Sequence, residues 1–279
     1  MELHVKRLDL IHPEAPGNKY FKLKYNILKA REKEAERIVT VGGPFSNHLH
    51  ATSALCHREG LACTGIVRGE EPAVLSQTLL DCLAWGMELE FMERDAWDEC
   101  NTETFKNEVH ARFPRSWFIP EGGNNFLGVN GCMEILSADD KRFDTLAISV
   151  GTGTTLAGIL LTAGSHQRIL AFPATNDFSL KERLRQTLFW TVVDEELADE
   201  LVARVEWVYD FTFGGFARVT PELEAFMAQE EAGGLPLDRV YTSKMVFGLR
   251  RMAEEGRIRE DERVLAIHTG GLQGNRLFK

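Results

Sequence analysis

The sequence predicts an α/β protein built on mainly parallel sheets, and three observations carry that expectation. Short β-branched runs, Gly-containing loops and helix-patterned stretches recur in that order along the chain. The 279 residues are 44% hydrophobic and 27% charged, which is enough apolar material for two domains or one large one and argues against disorder. The stretch 145–167 carries no Asp, Glu, Lys or Arg, yet Gly151–Thr155 divides it into two short apolar runs. That suits a buried strand, a loop and a buried helix better than the roughly 20 consecutive apolar residues of a membrane span.

The elements follow in chain order. Met1 to His12 has neither an apolar h-region nor a small-residue cleavage site, so no signal peptide is expected. Lys19 to Glu36 has helical spacing, with Phe21, Tyr25 and Leu28 on one side and Asn18 placed to cap it. Ile38–Val41 reads as a strand, followed by the loop Gly42–Asn47 and a helix from His48 to Glu59 that Gly60 stops. Ala62–Val67 is the next strand, and a helix follows around Leu75–Trp85. Met87–Met92 and Trp117–Pro120 read as strands flanking a helix around Asp98–Arg112. Thr145–Val150, Arg168–Phe172 and Val264–His268 repeat the strand pattern, with helical stretches between them. The acidic run Asp194–Glu200 reads as a solvated helix face. No repeat and no linker is visible, so two domains would interleave, with ligands at the carboxyl ends of strands.

Charge and cysteines bound the function. Against 42 acidic residues stand 32 Lys and Arg, a net charge of −10, which disfavours nucleic acid and anionic membrane as partners. A small anion remains compatible, because one loop can hold it. Five cysteines, odd in number and without a C-x-x-C pair, point to a reduced, cytoplasmic compartment. His48 and His50 are two apart on a helix and point to different sides, so no metal is expected.

Four loops hold the residues able to do chemistry: Gly17–Lys19, Gly42–His48, Gly151–Thr155 and His268–Gly271. In the third, a strand, a Gly/Thr loop and a helix starting near Leu156 present backbone N–H groups that suit a phosphate; a tight turn is the plain alternative. No Gly-Lys-Ser/Thr and no G-x-G-x-x-G is present there. Lys19 falls in the first turn of its helix, where the dipole disfavours an ammonium ion and lowers the pKa. Such a lysine can form a Schiff base with an aldehyde; an exposed lysine beside Lys22, Lys24 and Lys29 is the alternative. Ser46, Asn47 and His48 open a helix whose N–H groups, with the Ser46 hydroxyl, suit a carboxylate; a capping Asn and a helix-facing His are the alternatives.

Taken together these segments resemble the 1-aminocyclopropane-1-carboxylate deaminase / D-cysteine desulfhydrase family of pyridoxal-phosphate enzymes. The matching pieces are Arg7–Pro13, Gly17–Asn26, Gly42–His48, Pro120–Asn124, Ser149–Gly158, Tyr241–Lys244 and His268–Gly271, in the family's order and over nearly the whole chain. The resemblance implies fold type II among pyridoxal-phosphate enzymes: two three-layer α/β domains with mainly parallel sheets and the cofactor between them. The larger would comprise 1–21 and 131–279, and the smaller 22–130. It implies that Lys19 binds pyridoxal 5'-phosphate covalently, that Asn47 contacts its 3-hydroxyl, and that Gly151, Thr152, Gly153, Thr154 and Thr155 hold its phosphate. Thr242 would face the pyridine nitrogen. Ser46, Asn47, His48 and Thr269 would bind the substrate, with Lys22 adding charge nearby and Ser46 or Tyr241 assisting proton transfer. A homodimer acting on a small amino acid is implied as well.

Within that family, deaminases carry a glutamate where this chain has Thr242, a leucine where it has Thr269 and a glutamine where it has His48. The small hydroxyls resemble the D-cysteine desulfhydrase side, so β-elimination giving pyruvate, ammonia and sulfide is the first expectation. Deamination of 1-aminocyclopropane-1-carboxylate to 2-oxobutanoate and ammonia is the second, and a non-catalytic phosphate-binding α/β protein the third. Two departures stand out: Phe211–Arg218 lacks the family's second tyrosine, and Ser243 replaces a glycine.

Overall fold

Among the described residues, 1–278 of a computed structural model, nine strands form two sheets in which every ladder is parallel. The strands are β1 (Glu2–Arg7), β2 (Arg37–Gly42), β3 (Ala62–Arg68), β4 (Met87–Met92), β5 (Ser116–Ile119), β6 (Thr145–Val150), β7 (Arg168–Pro173), β8 (Val205–Trp207) and β9 (Arg263–His268). The larger sheet runs β1-β9-β6-β7-β8 and the smaller β4-β3-β2-β5, so the smaller lies wholly within the chain between β1 and β6. The central strands β2, β6 and β9 are buried almost throughout, which is why they read as continuous apolar runs. The edge strands β1 and β8 escaped the sequence reading. β1 alternates Glu2, His4 and Lys6 with apolar residues and stays half-exposed, and β8 is only three residues long.

Ten helices are α1 (Asn18–Glu32), α2 (Asn47–Glu59), α3 (Gln77–Ala84), α4 (Glu103–Arg112), α5 (Phe126–Cys132), α6 (Thr154–Thr162), α7 (Leu180–Val192), α8 (Glu195–Ala203), α9 (Pro221–Ala232) and α10 (Thr242–Glu254), counted among the described residues. None is long and apolar enough to cross a membrane. Several expected boundaries move for local reasons. Gly17, not Asn18, caps α1, and Asn18 is its first residue. The helix ends at Glu32, four residues early, because the chain turns and Glu34 takes φ +51°. The single helix expected over 98–112 divides into a 3-10 segment, Arg94–Asn101, and α4; Thr102 starts α4 by accepting a hydrogen bond from the Phe105 N–H. Asp194 caps α8 through the Leu197 N–H, and the acidic run lies largely on that helix's outer face, with Ala198 buried.

Helix α1 joins the two halves. Phe21 packs on the core under the larger sheet, while Leu23, Ile27 and Ala30 belong to the core under the smaller one. Two glycines bring the helices around it into backbone contact. A Cβ on Gly131 of α5 would lie 1.9 Å from the Phe21 carbonyl oxygen, and one on Gly158 of α6 would lie 2.5 Å from Cys132 Cβ. The starts of α1 and α6 are therefore neighbours, and Lys19 and Lys22 come beside the loop that precedes α6.

Candidate active site

The four loops singled out in the sequence converge at the carboxyl ends of β1, β2, β6 and β9. Gly17 has φ +79°, and a Cβ there would lie 2.1 Å from the Thr269 carbonyl oxygen, so only glycine fits. The Asn18 N–H donates to that same oxygen at 3.1 Å. The Gly17–Lys19 and His268–Gly271 loops thus form one floor. Beneath it His268 Nδ1 lies 3.1 Å from Asp9, which Arg7 grips with two bonds of 2.6 and 2.8 Å.

Lys19 and Lys22 lie three residues apart on α1 but differ in their partners. Among the described residues the Lys19 ammonium donates only to Asn18 Oδ1, at 3.1 Å. Burial, and then the charge of Lys22, pull its pKa down to about 7. Asn18 Nδ2 donates to Thr155 Oγ1 at 2.9 Å, tying this lysine to the start of α6. Lys22 is held instead: its Nζ donates to the Gly122 carbonyl at 3.1 Å and to Thr152 Oγ1 at 3.3 Å, and burial lowers its pKa to about 8.

Hydroxyl directions follow from these bonds. Thr154 spends its one proton on Asn124 Oδ1 at 2.7 Å, so across the 3.0 Å contact Thr152 is the donor to Thr154. The chain Lys22→Thr152→Thr154→Asn124 therefore leaves neither threonine a proton for an anion. What remains for an anion is the first-turn N–H groups of α6, the helix dipole and the spare proton of Lys22. Gly122, at φ +64°, lets the turn after β5 abut this loop; a Cβ there would lie 2.9 Å from Thr152 Cγ2.

At the α2 N-terminus Ser46 is the cap. Its Oγ accepts from the N–H groups of His48 at 3.2 Å and Leu49 at 3.3 Å, leaving the hydroxyl proton to donate. His48 departs from the expected carboxylate contact. Thr40 Oγ1 donates to the Ile119 carbonyl at 2.7 Å, so it must accept from His48 Nε2–H at 2.8 Å. The ring therefore carries its proton on Nε2, and Nδ1 is a buried acceptor without a partner among the described residues. Burial and the two lysines hold the imidazole neutral, well below its usual range. A lone pair repels a carboxylate, so the His48 side chain does not suit that task. Asn47 Oδ1 accepts from Gln273 Nε2, whose own Oε1 accepts from Thr78 at 3.0 Å, so the Asn47 amide presents its N–H₂ end.

Thr242 is not a free hydroxyl. Its Oγ1 donates to Asp238 Oδ1 at 2.7 Å and accepts from the Asp238 N–H at 2.9 Å. The buried Asp238 carboxylate also takes the N–H groups of Val240, Tyr241 and Thr242 at 2.9, 3.0 and 2.7 Å. Thr242 can therefore offer a lone pair but no proton. Thr269 is freer, with Ser149 Oγ at 3.5 Å as its side-chain contact. Tyr241 is half-buried against Gly151, where a Cβ would lie 3.1 Å from its ring. Burial, with Asp238 and Glu121 behind it, pushes its pKa up, so the phenol stays neutral. Gln273 and Asp238 were given no role in the sequence, and Asn124 appeared there only as the end of the segment Pro120–Asn124.

An amine whose pKa is drawn down to about 7, a helix N-terminus with its own lysine, and an amide N–H₂ with a serine proton facing inward suit an aldehyde that carries a phosphate. One consequence is testable on the cofactor-free protein. Covalent capture of pyridoxal phosphate, followed by stopped-flow absorbance, rises with pH through a midpoint at about 7. An ordinary lysine would climb to pH ~10.4 instead.

Comparison with known proteins agrees with this chemistry. The family described as pyridoxal-phosphate dependent enzyme matches residues 1–270. The Arabidopsis thaliana bifunctional D-cysteine desulfhydrase/1-aminocyclopropane-1-carboxylate deaminase, mitochondrial, is 27% identical over 98% of this chain and 73% of its own. The D-cysteine desulfhydrase of Yersinia enterocolitica is 27% identical over 97% of this chain and 87% of its own. A crystal structure of an ACC deaminase homologue superposes with TM-score 0.81 at 28% identity, covering 98% of this chain and 85% of that one. The protein belongs to the pyridoxal-phosphate-dependent enzymes, in the group of 1-aminocyclopropane-1-carboxylate deaminases and D-cysteine desulfhydrases, and its cofactor is pyridoxal phosphate.

Proposed function

We propose that this enzyme is a lyase that converts D-cysteine and water to pyruvate, ammonia and hydrogen sulfide. The observation that carries the substrate choice is the pair of small neutral side chains, Thr242 and Thr269, where deaminases resembling this chain have a glutamate and a leucine. When bound, pyridoxal phosphate supplies the electron sink for negative charge at the substrate Cα. Lys22 and the α6 N-terminus, with the loop Gly151–Thr155, would hold its phosphate, and Asn47 would donate to its 3-hydroxyl. Ser46 donates a hydrogen bond to the substrate carboxylate, and Lys19 Nζ, with its pKa drawn down to about 7, takes the Cα proton. Tyr241, a neutral phenol beside Gly151, delivers a proton to the departing sulfur.

The alternative substrate, 1-aminocyclopropane-1-carboxylate, has one observation in its favour. The Asp238 carboxylate stands one hydrogen bond behind Thr242, so negative charge is close to where a glutamate would supply it. Assays on D-cysteine, L-cysteine and 1-aminocyclopropane-1-carboxylate separate the two readings. Sulfide and pyruvate from D-cysteine in preference to L-cysteine are expected; 2-oxobutanoate production with no turnover of D-cysteine would refute the assignment. We also propose that 1–21 with 131–279 and 22–130 are the two domains, because α1 changes cores between Phe21 and Leu23.

A further inference from the structure

Lys244, in the first turn of α10, is 1% exposed and is one of the largest fully buried side chains among the described residues. Its ammonium donates to three backbone carbonyls: Gly215 at 2.6 Å, Thr212 at 2.8 Å and Ala174 at 3.3 Å. All three N–H bonds are therefore used, and no carboxylate takes any of them. Asp238 is the charge that acts on it from the same end of α10. One carbonyl lies just after β7, and the other two belong to the loop between β8 and α9.

That second loop is strained. Phe213 (φ +52°) and Ala217 (φ +55°) occupy the left-handed region beside Gly214 (φ +86°) and Gly215 (φ +121°). Non-glycine residues stay there only where the surroundings over-determine them. Among the described residues the other ties of the segment are Thr212 Oγ1 donating to Asn176 Oδ1, two backbone bonds within the loop, and Phe211 and Phe213 packed edge-on to Phe247 of α10; only Lys244 ties its Gly215 end to the body of the protein by a hydrogen bond. At its tip Phe216, 60% exposed, stands edge-on to Tyr241 with ring centroids 6.3 Å apart. Tyr241 is the ring that flanks Gly151. The loop that Lys244 pins is thus the one that reaches over the site, in the segment where the family's second tyrosine is missing.

We propose that Lys244 is a positioning residue: its ammonium fills a carbonyl cage as a monovalent cation would, pins the 211–218 loop with Phe216 over Tyr241, and so sets how tightly the site closes on its substrate. Carbonyl oxygens can replace the hydration shell of such a cation, and a tethered ammonium does so without a binding equilibrium. The closure half of this proposal rests on the lyase reading above; the pinning half does not.

Hydrogen exchange on the cofactor-loaded enzyme reads the pinning directly. In Lys244→Met, amides of 211–218 exchange about tenfold faster or more, while those of 151–155 keep their protection. Ammonium ion, a free form of the lost head group, restores part of the difference. KM for D-cysteine rises about tenfold with kcat within about threefold, because the variant loosens enclosure and leaves Lys19 in place. Loop exchange within about twofold of the parent protein overturns the proposal. Should Lys244→Met fail to fold, Phe216→Ala decides: KM rises by a similar factor with the loop's protection retained, and an unchanged KM refutes the closing role. A protein that turns over none of the amino acids, yet shows the exchange difference, refutes the lyase reading and leaves the pinning standing.

Discussion

Lys19→Ala abolishes the covalent bond to the cofactor and lowers turnover by about 10³-fold or more, since one side chain is lost both as nucleophile and as proton acceptor. The fold is expected to survive. Asn18 Oδ1 is the one partner released among the described residues, and a buried amine with a lowered pKa leaves no orphaned charge behind. The readouts are the visible absorption band, which borohydride bleaches in the parent protein, and the mass of the reduced adduct. A variant that still gives a reducible adduct would assign the covalent lysine elsewhere, with Lys22 the first candidate. Lys19→Arg is expected to fail as well, because a guanidinium stays charged and cannot form the bond.

Lys22→Met acts on a different step. Cofactor affinity falls about 10- to 100-fold, as expected for loss of a charged donor to a phosphate, while kcat at saturating cofactor stays close to that of the parent. The loss has two parts. The spare ammonium proton no longer meets the phosphate, and Thr152 Oγ1 and the Gly122 carbonyl lose their donor. Thr152 then has no incoming bond to hold it in the chain to Thr154 and Asn124, so the loop before α6 loosens. Fluorescence titration with pyridoxal phosphate measures the change, and raised salt weakens the parent more than the variant. An unchanged affinity would remove Lys22 from the phosphate site and leave the α6 N-terminus as its sole holder. The contrast between the variants is itself informative, because these lysines share a helix face and a charge and differ only in what surrounds them.

Much of the architecture was legible because it is written in short-range patterns. β2, β3, β6, β7 and β9 are apolar runs closed by glycine-containing or turn-forming residues, and these runs predicted strands within a residue or two of where they lie. β1 was not legible, because an edge strand paired on one side needs no continuous apolar run. The α1 cap was misassigned for a related reason. Asn18 has the composition of a cap, but Gly17 must approach Thr269 so closely that it takes the turn, and the Asn18 side chain is used 137 positions away on Thr155.

From its sequence alone this protein's α/β class was determined, because helix and strand periodicity are local, and its family and cofactor followed from the order of its short motifs. Tertiary structure alone decided which lysine keeps one local partner and which is anchored across the site, where the His48 proton resides, and that Thr242 has no proton to give. The same holds for Lys244, caged by carbonyls rather than paired with an acid. Each of these is a question of hydrogen-bond partners. Lys22 finds Thr152 from 130 residues away, Asn47 finds Gln273 from 226, and Lys244 finds Ala174 from 70. A proton's place and an ammonium's pKa depend on what burial brings within about 3 Å, and no local pattern encodes that.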